Sequence, residues 1–144
     1  TKTINGDHDY IQIRYFDYGT PDEKFINNLD TIYHKLEKSD RKYHIGSNNA
    51  VALDTLSPLK NVYTYKFNNL DLFTNDHMYY FYNAHISNDM LLDRLYDNLA
   101  EMVAVAESNT IYGYTSLGWI SNFLFYGMAH ANKLKFINFN HLKL

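Results

Sequence analysis

Between Tyr10 and Phe16 the chain alternates, with Ile11, Ile13 and Tyr15 on one side of an extended segment, and this predicts a first strand. The period then lengthens. Phe25, Ile26, Leu29, Ile32, Tyr33 and Leu36 recur every three or four residues, which predicts a helix ending near Ser39. Thr20, Pro21 and Glu23 read as its start: a capping hydroxyl, a proline at the first helical position and a glutamate closing a capping box. Residues 40–50 read as a turn-rich connector, and Ala50–Leu53 as a short strand broken by Ser57-Pro58-Leu59.

Alternation returns over Asn61–Phe67 and again over Met78–Ala84, which predicts two strands whose simplest pairing is antiparallel. Ser87 is placed to cap a second helix in which Leu91, Leu92, Leu95, Leu99, Met102, Val103 and Ala106 share one arc, expected to face the core. Ser116–Ala131 predicts a third helix, apolar on nearly every side, and Lys133–Phe139 a last strand. The order predicts one α+β domain over residues 1–144: a small antiparallel or mixed sheet of about four to five strands with three helices.

Composition narrows the chemistry. A chain of 144 residues fits one domain. It has no cysteine, which excludes a disulfide, a thiolate nucleophile and a cysteine-ligated zinc site, and suits a reducing cytoplasm. No charged segment followed by an apolar one opens the sequence, so no signal peptide is expected. Residues 108–132 carry no Asp, Glu, Lys or Arg and are long enough to span a bilayer, but Ser108, Asn109, Thr110, Thr115, Ser116, Ser121 and Asn122 argue against a membrane helix. Walker, GxGxxG, GxSxG and HExxH patterns are all missing, and no cofactor is expected. His77 and His85 bracket the run MYYFYNA, but eight residues of strand span about 26 Å, too far for one metal ion.

Charge is uneven. Asp89, Asp93, Asp97 and Glu101 stand four residues apart, on the side of the second helix opposite its leucines. Like charges at this spacing cost helix stability, so the pattern reads either as a wet face or as an acidic ridge for a basic protein partner. Tyr80 and Tyr82, exposed on alternate positions of their strand, extend that surface. Trp119, Phe123 and Tyr126 circle a helix too apolar to bury alone, which predicts a homo-oligomer contact. Direct nucleic-acid binding is not expected, since residues 68–107, which follow the nearest bases Lys60 and Lys66, hold seven acids against the one base Arg94. The expected function is that of a cytosolic, non-catalytic binding or inhibitor protein. The abundance of Asn, Tyr, Ile, Lys and Asp fits an AT-rich phage or mobile element and an anti-defence role such as anti-CRISPR. Two other readings stand beside it: a small-ligand module holding a nucleotide between Tyr63, Tyr65, Tyr80 and Tyr82, and an enzyme whose His and Asp meet only in three dimensions.

Overall fold

The computed structural model describes residues 7–13, 22–47, 49–64, 87–113 and 134–136. They form strands β1 (Asp9–Ile13), β2 (Tyr43–Ser47), β3 (Val62–Thr64), β4 (Ile111–Gly113) and β5 (Leu134–Phe136), and helices α1 (Glu23–Glu37), α2 (Ala50–Leu56) and α3 (Asn88–Glu107). The strands make one sheet ordered β3-β2-β1-β4-β5, and every neighbouring pair is parallel.

This corrects the expected α+β domain with its antiparallel or mixed sheet. Two local misreadings hid the α/β pattern. Tyr43–Ser47, read as part of a connector, is the buried strand β2, and Ala50–Leu53, read as a strand, is most of α2. A helix therefore follows both β1 and β2, and a strand that returns through a helical crossover lies parallel to the first. The expected strand at Met78–Ala84 and helix at Ser116–Ala131 lie outside the described residues.

One face of the sheet is aliphatic and aromatic. Ile11, Ile13, Tyr43, Ile45, Val62 and Tyr112 pack there with Phe25, Leu29, Ile32 and Leu36 of α1 and Ala52, Leu53 and Leu56 of α2. The helical stripe read from the sequence is thus the buried face of α1, although Ile26 is exposed. Asp22, rather than Thr20, caps this helix, its Oδ1 accepting from Phe25 N at 2.8 Å. Asn49 caps α2, accepting from Val51 N and Ala52 N.

Polar side chains fasten the amino-terminal edge of the sheet. Arg41 grips the buried Asp9 with two hydrogen bonds of 2.7 Å, and its guanidinium pKa is raised by that carboxylate. Asn61 is buried, and its Nδ2 lies 2.9 Å from Leu36 O and Ser39 O and 3.0 Å from Arg41 O, so its two hydrogens are shared among three carbonyls and tie the end of α1 to the entry of β2. Asn61→Ala strips all three carbonyls of this donor and is expected to cost about 2 kcal/mol. A urea unfolding curve with a lowered midpoint and an unchanged slope checks it.

Candidate functional site

Along β1 and β2 the opposite face of the sheet is polar where a parallel sheet is ordinarily aliphatic, while Ile111 of β4 continues it as an apolar position. In the β1–β2 register Tyr10 pairs with His44 and Gln12 with Gly46, so all four look toward this face. Helix α3 covers it with Glu101, Ala104, Val105 and the cap residue Ser108. Tyr10 is fully buried, and its Oη donates to Glu101 Oε1 at 2.5 Å. Burial first, then the Glu101 carboxylate, hold the phenol well above its ordinary pKa, so it stays protonated. Gln12 Oε1 also lies 2.7 Å from Tyr10 Oη. The phenol has one hydrogen, so the carboxylate takes it, and the Gln12 amide serves best with its NH2 group toward the phenol oxygen.

His44 stacks on Tyr10 with ring centroids 5.5 Å apart. It is 8% exposed, and neither ring nitrogen has a hydrogen-bond partner among the described residues. Burial, and then the neighbouring His8, lower its pKa to about 4, so at neutral pH the ring is uncharged. His8 Nε2 lies 3.0 Å from Ala104 O, and His8 O accepts from Asn109 N at 2.8 Å, which ties the end of α3 to the start of β1. Gly46 is required at its position, because a methyl group there would overlap Tyr10 Oη and Glu101 Oε1. The cluster therefore spends its acid and its phenol on each other. It docks α3 on the sheet.

What the cluster positions is the carboxyl edge of the sheet. From β1 the chain steps outward through β2 to β3, then crosses to the other side of β1 and continues through β4 to β5. The winding direction thus reverses between β1 and β4, which pair directly through Tyr10↔Ile111 and Ile11↔Tyr112. In open parallel sheets the crevice that opens beyond the strand ends at such a reversal is where ligands bind. The described side chains nearest this edge are uncharged: Gln12 and Ile13 of β1, Ser47 of β2 and the cap Asn49.

No family model, curated protein or solved structure matches the chain.

Of the residues singled out from the sequence, only some lie within the described set. Asp89 and Asp93 are exposed on α3, whereas Glu101 is half-buried and turned to Tyr10. Asp97 belongs to α3, but its side chain lies outside the described set, as do Tyr80, Tyr82, Trp119, Phe123, Tyr126, His77 and His85. The leucine arc expected to face the core faces out instead: Leu91, Leu92, Leu95, Leu99 and Val103 are 37–55% exposed. Among the described residues, no group of three or more His, Asp or Glu could hold a metal ion, and no helix is long and apolar enough to cross a membrane. Sequence reasoning missed Tyr10, Gln12, His44 and Gly46. The available signal was polar residues at alternate positions within two otherwise apolar strands.

The two kinds of acid on α3 separate in experiment. Asp93→Asn is expected to change stability by less than about 0.5 kcal/mol. Glu101→Ala removes the carboxylate that takes the Tyr10 proton and is expected to cost about 1–2 kcal/mol. Chemical denaturation of the two variants side by side checks the contrast.

Proposed function

We propose that the chain is a binding module for a small, planar, uncharged polar ligand of the nucleoside class, held beyond the carboxyl ends of β1 and β4. The reversal of strand order between these two strands carries the reading.

Three observations favour an uncharged ligand over a phosphorylated one. A phosphate at such a site usually sits on the amino end of a crossover helix, approached closely by glycine backbone. Here the first turn of α1 already has the carboxylates of Asp22 and Glu23, and Asn49 occupies the amides that open α2. The residues that follow the two strands are poor in charge. Segment 14–21 holds Arg14 and Asp17, which offset each other, and segment 114–132 holds no Asp, Glu, Lys or Arg. Both segments are rich in aromatic residues, among them Tyr15, Phe16, Tyr18, Tyr114 and Trp119, which suit a flat polar ring.

A thermal-shift screen of nucleosides against the corresponding mono- and triphosphates tests the proposal. A nucleoside at about one hundred times its Kd should stabilise the fold by about 2.7 kcal/mol and raise Tm by about 5–10 °C. The triphosphate should give the smaller shift. A larger shift with the triphosphate, or none with any nucleoside, would overturn the reading.

A further inference from the structure

Helix α3 has two faces of opposite use. Met90, Glu101, Ala104, Val105 and Ser108 turn toward the rest of the fold, half-buried or buried. On the far side Leu91, Leu92, Leu95, Tyr96, Leu99 and Val103 are 37–61% exposed. At about 100° per residue these six fall within one continuous arc, and from Leu91 to Val103 they run about 18 Å along the axis. The steps from Leu92 to Leu95, Leu99 and Val103 are three or four residues, the spacing with which one helix packs into the side of another. An apolar stripe rimmed by charge marks a contact surface.

The rim says what kind of helix fits. Asp89, Asp93 and Glu107 are exposed along one edge of the stripe, and the last turn of α3 holds no basic residue. Over its whole length α3 carries five acids against one base, Arg94. A second copy laid along the stripe would set acids beside acids, which is unfavourable at close quarters. A helix with Lys and Arg along its edges would meet carboxylates with the opposite charge.

We infer that the outward stripe of α3 is the docking surface for an amphipathic helix of a partner protein, with an apolar seam of leucine-like residues flanked by Lys and Arg. This surface is independent of the proposed ligand crevice, since it lies on the side of α3 turned away from the sheet.

Two synthetic helical peptides test the inference directly. Both carry leucine at three- and four-residue spacing over about five turns. One has lysine on both flanks of the seam and the other has glutamate. Fluorescence anisotropy with the full chain should show the lysine peptide binding roughly tenfold or more tighter than its twin, with the gap narrowing as salt is raised. Asp89→Asn with Asp93→Asn alters only exposed side chains and should cut that preference several-fold. Leu95→Ser with Leu99→Ser should abolish binding of both peptides while leaving the circular dichroism spectrum and Tm unchanged. Equal binding of the two peptides, or none, would overturn the inference. So would a dimer of the free chain that the Leu95→Ser, Leu99→Ser variant dissociates, which would give the stripe to a second copy. A fall in Tm of more than about 5 °C in that variant would give the stripe to another segment of the same chain, and would overturn the inference equally.

Discussion

Gly46→Ala is expected to cost about 3–4 kcal/mol. The added carbon would occupy space already held by Tyr10 Oη and Glu101 Oε1. Neither can give way cheaply, because Tyr10 is fully buried and its hydroxyl is bonded to that same carboxylate. Overpacking of this kind costs about 1–3 kcal/mol, and parting a buried hydroxyl from its acceptor adds about 1–3 kcal/mol. A double variant isolates the cause. Tyr10→Phe removes the atom that a methyl would strike first, so Gly46→Ala on that background should cost at least about 1 kcal/mol less than on the native one. Urea midpoints for the four chains of the cycle measure the coupling. Additive costs would mean that the methyl is accommodated elsewhere and that the close approach of β2 to the Tyr10–Glu101 pair is not what glycine serves.

The second large effect is acid sensitivity centred on His44. Its pKa is lowered from the ordinary 6.5 to about 4 by burial and by His8. The unfolded chain therefore takes up a proton as the pH falls through about 6.5, while the folded chain resists until about 4. Since the unfolded state binds more protons in that window, stability falls as the pH falls. The contribution is fully present above about pH 6.5 and is lost by about pH 4, a total of about 3 kcal/mol for a difference of this size. His44→Phe keeps the stacking on Tyr10 and removes both unpartnered nitrogens. It should be as stable as the native chain at pH 7.5, or more so. The gap between the two chains should widen in favour of phenylalanine by about 3 kcal/mol between pH 7.5 and pH 4. Carboxylates that titrate over the same range are common to both chains and cancel in the difference. A gap that stays constant with pH would mean that His44 takes up its proton as readily folded as unfolded.

Some of this is legible in the sequence. The stripe Phe25, Leu29, Ile32 and Leu36 is long and strictly helical, and Ser87 stands where a cap belongs, its hydroxyl accepting from Met90 N at 3.2 Å. Ile11 and Ile13 share one buried face, as their alternation predicts. The strand β2 is not legible, because its five residues include His44, Gly46 and Ser47 and lie between runs of turn-forming residues, so its short alternation reads as part of a connector. The run Ala-Val-Ala-Leu fits either period, and only the Asn49 cap decides it for a helix. The direction of the sheet is a property of how the segments connect, so misreading those two segments misreads the sheet as well. The orientation of α3 is beyond local pattern. Its leucines and its acids each predict a face, but the Tyr10–Glu101 bond, 91 residues apart in sequence, selects which face turns inward. The polar cluster under α3 is hidden for the same reason, since each member is ordinary until strand pairing puts Tyr10 beside His44 and Gln12 beside Gly46.

The central place of β1 has a consequence for how this chain is made. One of its two partners is β4, whose Ile111 pairs with Tyr10 and is translated about a hundred residues later. At roughly 5–20 residues per second, β1 waits on the order of 10 s on the ribosome before that side can close. Until then its backbone N–H and C=O groups along that edge are free to pair with any strand nearby, including the same strand of a neighbouring nascent chain. Slow translation lengthens this window, and a message crowded with ribosomes supplies the competing strands. Cross-paired chains are therefore most abundant where expression is fast in initiation and slow in elongation.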